Sequence, residues 1–296
     1  MSTMKTILLS GAVALVTTLG VSHFATSSGT GSTSNQGYSH VIEAKTIRCG
    51  YVPYPPGLIK DPNTGKISGI FAETLEASAK DLGYKIEWSE EVGWGTMIEG
   101  LKAGRFDAVC SPVWANSTRA QFAEFTQPIF YSGIGVYVRA DERRFGNGLE
   151  GINSDGVTLA TIDGEMTSIV ADQDYPVAKR VALPQNSDVS QVLLNVVDRK
   201  ADVTFVEPYI AEEFMKSHPG ALRNLVADKP VRIFPNTMLV AKGNYQLKGL
   251  LDVMIAEMAN SGRADRLIAK YDLGSGTFYP VARPYRAPAG TTAASR

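Results

Sequence analysis

The chain is poor in the residues that most metal sites and hydrolytic centres need. Its 296 residues include three histidines, His23, His40 and His218, and two cysteines, Cys49 and Cys110. The histidines do not cluster with cysteines or carboxylates at metal-ligand spacing, so no metal site is expected, and no cofactor either. Neither a Ser-His-Asp nor a Cys-His arrangement can be assembled from them. Net charge is also small, at −1. That balance supplies no basic footprint for nucleic acid and no polybasic membrane patch. Long apolar runs are missing as well. The uncharged stretch Thr6 to Val21 falls short of the ~20 residues that span a bilayer comfortably.

What is present suits an exported α/β protein. Lys5, the apolar run and the small residues Ala25 and Ser27 read as a secretory signal over residues 1–25, which places the mature chain in the periplasm. An uncleaved anchor is the alternative; a lipid anchor is disfavoured because no cysteine follows the run. Residues 26–45 begin rich in Ser, Thr and Gly and read as a flexible leader. With 44% apolar residues, the remainder can bury one large core or two smaller ones. Strand signals at Thr46–Tyr51, Lys85–Ser89, Ala108–Ser111, Val157–Ile162, Val203–Val206 and Thr237–Ala241 alternate with helical patterns. The helices Phe71–Leu82 and Thr96–Ala103 stop at Gly83 and Gly104, and Ser187–Arg199 carries an apolar face. The pattern is α/β with mainly parallel sheets. Residues 274–296, with Pro280, Pro284 and Pro288, read as an extended tail.

The run from Asp107 to Thr126 carries the most chemistry. A short apolar strand ends at Ser111, Pro112 stops it, and Asn116 or Ser117 caps a helix over Thr118–Ala123. Arg119 in its first turn offers a planar fork of donors that matches a carboxylate at two points. The plainer alternative is a surface arginine paired with Glu124. The design of Leu101–Pro112 recurs in Val197–Pro208: a helix end, a basic residue, an aspartate, an apolar strand, and a polar residue before proline. The polar residues are Ser111 and Glu207. Two lobes facing each other would bring both strand ends to one cleft.

These phrases resemble the family 3 extracellular solute-binding proteins, periplasmic receptors of polar amino acid ABC importers. The resemblance rests on Asp107-Ala108-Val109-Cys110-Ser111, Ser117-Thr118-Arg119 and Phe125-Thr126-Gln127-Pro128-Ile129-Phe130-Tyr131. Ile47-Arg48-Cys49-Gly50, the Asp61–Lys66 hairpin leading to Gly69, and the run Gln246–Leu273 extend it over Thr46 to Leu273. It implies a two-lobed, type II periplasmic binding-protein fold. Lobe one would hold residues 46–131 and 237–273, lobe two residues 132–236, with hinges near Phe130–Gly133 and Phe234–Thr237. It further implies a monomer that presents its ligand to an importer permease.

The resemblance also assigns ligand roles. Arg119 would hold the carboxylate and Glu207 the ammonium, with Glu207 one methylene longer than the family's usual aspartate. Ser111 closes the strand that leads to Arg119. The turn Gly164 to Thr167, with Met166 inside it, would offer backbone amides to the carboxylate. Glu165 brings negative charge where the family prefers a hydroxyl; facing the cleft, it would oppose a carboxylate or demand a second cation. Tyr54, Trp94 and Trp114 would frame an aromatic box, with core packing as the alternative for each ring. Val52 and Pro53 stand where receptors for cationic amino acids carry an acid, which disfavours lysine and arginine. An aromatic or aliphatic amino acid, or a cyclic or methylated amine with a carboxylate, fits the box better. Two other functions share the resemblance: a prephenate-like dehydratase using Glu165 or Glu207 for proton transfer, and a sensory receptor. Since the family fold makes the strands of Cys49 and Cys110 neighbours, a disulfide is open to them. The reading favoured here is two buried free thiols, because a bridge between adjacent parallel strands demands unusual geometry.

Overall fold

The computed structural model describes residues 33–146, 148–272 and 277–282. Helix α1 (Thr33–Ala44) leads into β1 (Thr46–Tyr51), the small hairpin β2 (Ile59–Lys60) and β3 (Ile67–Ser68), α2 (Ile70–Asp81), β4 (Lys85–Glu91), α3 (Met97–Lys102) and β5 (Ala108–Trp114). Next come α4 (Ser117–Ala120), β6 (Ala123–Phe125) and the long β7 (Phe130–Arg139). The second part comprises β8 (Thr158–Ile162), α5 (Met166–Asp174), β9 (Lys179–Leu183), α6 (Ser190–Val197), β10 (Val203–Val206), α7 (Pro208–Ser217) and β11 (Leu222–Asn224). The chain returns through β12 (Arg232–Ala241), α8 (Tyr245–Asn260), α9 (Arg263–Tyr271) and β13 (Phe278–Pro280).

Eight strands form one path, β4-β1-β5-β12-β7-β10-β8-β9, with β6 beside β12 and with β11 and β13 beside β7, while β2 and β3 pair separately. At one end β4, β1 and β5 are parallel neighbours; at the other, so are β10, β8 and β9. Between them β12 and β7 pair antiparallel, Asn236 opposite Phe130 and Arg232 opposite Ile134. These two ten-residue strands carry the chain from one α/β lobe to the other. Lobe one packs α2 and α8 over β1 and β5 around Ile47, Phe71, Leu75 and Met254. Lobe two packs α5 against β8 and β10 around Leu159, Val170 and Phe205.

The repeated design has a physical basis. In lobe one the Asp107 amide donates to the Arg48 carbonyl (2.8 Å) while Asp107 Oδ2 accepts from the Arg48 amide (2.8 Å). In lobe two the Asp202 amide donates to the Thr158 carbonyl (2.7 Å) and Asp202 Oδ2 accepts from the Thr158 amide (3.0 Å). Each aspartate thus clamps its strand to the parallel neighbour at the end remote from the cleft. The opposite ends, at Trp114 of β5 and at Glu207 after β10, lie at the cleft. Helix α2 stops at Gly83, whose φ of 69° lets the Tyr84 amide reach back to the Ala79 carbonyl.

Several expectations change. Pro112 does not stop β5, which runs on to Trp114. The register between β5 and β12 shifts between Thr237 and Leu239, and Pro112, without an N–H, falls in that irregularity. The helix expected over Thr118–Ala123 spans Ser117–Ala120 only, because Ala123 is already paired in β6 opposite Ala241. The leader is helical from Thr33 onward, with Val41 buried in the lobe-one core. The tail is built into the fold where it is described: Phe278 to Pro280 pair with Ser132 to Phe130, and Phe278 is buried. The secretory-signal stretch lies outside the described residues. Among the described residues no helix is long and apolar enough to cross a membrane.

The cysteines are bonded, not free. Cys49 and Cys110 form a disulfide with Cα atoms 5.5 Å apart. The register explains it: Cys49 lies opposite Ala108 on parallel neighbours, so Cys110, two residues on, shares the face of Ala108. The bridge closes a loop with a sequence separation of 61. Serine at both positions is therefore expected to cost about 2–4 kcal/mol of stability. Urea unfolding checks this, and coincident midpoints would show that the bridge adds nothing.

Candidate functional site

Arg119 is placed by its own helix start. Asn116 caps α4 by accepting from the Arg119 amide at 2.9 Å, which turns the side chain inward. The residue is 8% exposed, and Glu124 pairs instead with Lys242 at 3.0 Å, so the surface-pair alternative fails. The guanidinium reaches across to lobe two, where Nη2 donates to the Gly164 carbonyl. Nη1 lies 3.5 Å from the Trp114 carbonyl, and the Trp94 ring centroid is 5.9 Å away. Burial pulls its pKa down to about 10, opposed by the charge of Glu165. It stays a cation at neutral pH.

Glu207 ends β10 and faces the opposite wall. It is buried, its Oε2 accepts from the Tyr54 hydroxyl at 2.6 Å and its Oε1 from the Ser132 hydroxyl at 3.3 Å. Burial pushes its carboxyl up to about 7, the Tyr54 hydrogen bond pulling the other way. Tyr54 packs edge-on against Trp94, centroids 5.7 Å apart. Its own hydroxyl is raised well above the ordinary range, by burial first and then by Glu207. Trp114 stacks on Phe234, centroids 4.0 Å apart and planes within 6°.

The turn before α5 departs from expectation. Glu165 is its N-cap, with Oε2 accepting from both the amide and the hydroxyl of Thr167 at 2.7 Å. Burial raises the Glu165 carboxyl, against hydrogen bonds from the Thr167 and Met166 amides and the charge of Arg119. The amides expected to receive a ligand carboxylate thus already hold a carboxylate of the chain itself. Gly164 presents its carbonyl, not its N–H, to Arg119. With φ at 72° and a would-be Cβ only 3.1 Å from the Gly95 nitrogen, this position admits glycine.

Tyr54, Trp94, Trp114, Arg119 and Met166 surround one small cavity with Pro112 and Glu165, about 10 Å³ in volume. Tyr54 and Pro112 separate it from a second of about 10 Å³, walled by Glu207, Phe130 and Asn236 among others. Each has room for about one water. Two expected contributors stand back. The Ser111 hydroxyl is spent on Val52, accepting from its amide at 2.7 Å and donating to its carbonyl at 2.9 Å. Thr167 accepts from the Ile162 amide at 2.8 Å while holding Glu165. Sequence reasoning missed Gln185, whose Oε1 accepts from the Gly95 amide across the lobes at 2.7 Å. It also missed Ser132 and Asn236, whose polar side chains are buried on the crossing strands.

Because Glu207 has a folded pKa of about 7 against an ordinary 4.5, its ionisation opposes folding. Stability associated with the neutral acid is fully present below pH ~4.5 and is lost as pH rises through ~7, by about 3 kcal/mol in all. Glu207→Gln is expected to unfold at a higher temperature than the parent at pH 8, with the gap closing towards pH 4.5. Calorimetry across that range tests it, and a pH-independent gap would contradict the assignment.

Residues 47–275 match the model for bacterial extracellular solute-binding proteins, family 3. Two curated relatives are a probable amino-acid ABC transporter-binding protein of Haemophilus influenzae and an L-cystine-binding protein of Bacillus subtilis. The first is 24% identical over 228 residues, covering 76% of this chain and 79% of the relative. The second is 21% identical over 224 residues, covering 74% and 77%. Among solved structures, an ancestral amino acid-binding protein described as a precursor of cyclohexadienyl dehydratase superposes with a TM-score of 0.68 at 24% identity, over 79% of this chain and 97% of that one. A cysteine-binding protein from Campylobacter jejuni gives 0.68 at 19% identity, over 80% and 93%. With the two-lobed fold and the interlobe cluster in place, the family match across residues 47–275 identifies the chain as a member of the family 3 bacterial extracellular solute-binding proteins.

Proposed function

We propose that the cleft captures a small zwitterion, an amino acid or a related carboxylate-bearing amine, and presents it to an ABC importer by lobe closure. The observation that carries this reading is the convergence of one buried guanidinium, two buried carboxylates and three aromatic rings on a single interlobe contact. Relatives named for amino acids and for L-cystine support the solute class.

The ligand carboxylate takes the place of the Gly164 carbonyl on Arg119, as a two-point, charge-assisted pair. Its ammonium sits against Glu207 and the Tyr54 and Trp94 rings. Trp114, Met166 and Pro112 offer apolar wall to its side chain. Cavities of about 10 Å³ do not admit such a solute, so entry requires the lobes to separate, with β7 and β12 bending at the crossing. Closure then replaces direct bonds between the lobes, Arg119 to Gly164 and Tyr54 to Glu207, by bonds through the ligand. The ligand shifts the open–closed balance only by its preference for the closed form. No bond is made or broken, so the cleft binds and releases without chemistry.

Thermal unfolding against a panel of amino acids, cyclic amines and prephenate tests the reading. A zwitterion at 100 times its Kd is expected to stabilise by about 2.7 kcal/mol, and Arg119→Ala is expected to abolish that shift. A panel silent except for prephenate, with prephenate consumed, would replace binding by a dehydratase. Because the ammonium needs Glu207 ionised and its pKa is about 7, affinity is expected to rise about tenfold from pH 6 to pH 8. Isothermal titration checks this, and a flat profile would remove Glu207 as the ammonium partner.

A further inference from the structure

Ser132 on β7 and Asn236 on β12 lie where these strands pass between the lobes, and both side chains are essentially inaccessible, at 0% and 1% exposure. Ser132 is opposite Phe234 and Asn236 opposite Phe130, so the two polar residues are diagonal neighbours on one face. Their hydrogen bonds form a chain with a single direction. Trp114 Nε1 donates to Asn236 Oδ1 at 3.0 Å, and Asn236 Nδ2 donates to Ser132 Oγ at 2.9 Å. Ser132 Oγ in turn donates to Glu207 Oε1 at 3.3 Å. The chain begins on a ring of the lobe-one wall and ends on the buried carboxylate of lobe two. A charge at its end polarises each donor in turn. The face of Trp114 is set by the same strand, through the stack on Phe234.

We propose that Ser132 and Asn236 are positioning residues of the cleft, forming a relay through the crossing strands that couples the setting of Trp114 on one lobe to the carboxylate of Glu207 on the other. Its use in ligand capture rests on the cleft reading above, but the coupling is a property of the chain alone. Bending at β7 and β12 changes the middle of the relay, so the ring and the carboxylate are set together with the degree of closure. Strand pairing alone asks for no polar side chain at either position.

The test uses Trp indole nitrogen labelling of the exported protein, followed by NMR from pH 5.5 to 8.5. The indoles of Trp88, Trp94 and Trp114 are distinguished with Trp114→Phe. The Trp114 indole is expected to titrate with a midpoint near 7, the value for Glu207, and to lose that response in Glu207→Gln. Four other groups face Glu207, one of them Tyr137 of β7, a buried phenol whose ionisation is raised out of this window by burial first, with the charges of Glu212 and Glu207 adding to it. Tyr54 donates from lobe one, with its own ionisation raised well above this window. Ser132 donates from β7. Glu165 acts through its charge from the start of α5, beside Arg119. Glu165→Gln is therefore the control, and it is expected to leave the titration in place. Ser132→Ala is expected to silence the Trp114 response while Ser132→Thr, which keeps the hydroxyl, restores it. A Trp114 indole that does not titrate in the parent overturns the proposal. So does one that still titrates fully in Ser132→Ala, since through-space charge alone would then explain it. A silent ligand panel with this titration intact would sink the cleft reading and leave the relay standing.

Discussion

A guanidinium buried between two lobes is the constraint on which this architecture turns. Arg119 keeps its proton even with its pKa lowered to about 10, so a full positive charge has to be matched inside the protein. Leaving such a charge unanswered costs several kcal/mol. The answers come from separate parts of the chain: the Trp114 carbonyl at the end of β5, the Gly164 carbonyl and Glu165 charge at the start of α5, and the Trp94 ring before α3. These meet only when the lobes are together. Much of the local geometry follows from that demand, from the Asn116 cap that aims the side chain to the glycine at 164 that lets two backbones come within van der Waals contact.

The strand entrances were legible because their chemistry is local. An aspartate just before an apolar strand clamps an amide near the start of the neighbouring parallel strand, and the same arrangement at Asp107 and Asp202 makes the internal repeat a repeated hydrogen-bond pattern. Pro112 misleads because proline's tolerance inside a strand depends on the partner's register, and the shift opposite Met238 is decided by β12, more than 120 residues away. The crossing strands were half-read. The hinges expected near Phe130–Gly133 and Phe234–Thr237 lie within two ten-residue strands, β7 and β12, that cross from one lobe to the other. Cys49 and Cys110 were placed on neighbouring strands by family resemblance; their bonding depends on a register that spacing does not encode.

The site divides along the same line. Arg119, Glu207 and the three rings flank strand ends, where position in sequence nearly fixes position in space. Ser111 and Thr167 flank strand ends too, but hydroxyls are as readily satisfied by neighbouring backbone as by a ligand, and here Val52 and Ile162 take them. Gln185 could not be found by such reasoning. Its partner, the Gly95 amide, belongs to the other lobe, and nothing within either lobe alone brings them together.

Glu165 gives the cleft its own character. A helix start that presents free amides attracts an anion, and in this chain the carboxyl of the cap residue, Glu165, already occupies that position. For the capture proposed above, carboxylate recognition then falls to Arg119 alone, and the pocket holds two acids against one base. A zwitterion leaves that imbalance unchanged, whereas a proton on Glu207 or a second positive group on the solute removes it. The raised carboxyl of Glu207 is the form this takes without a ligand's help: its first cause is burial, and the nearby charge of Glu165 adds to it. An ammonium entering the cleft therefore competes with a proton for the same carboxylate. The cost of that exchange depends on how firmly Thr167 and the start of α5 keep Glu165 in place.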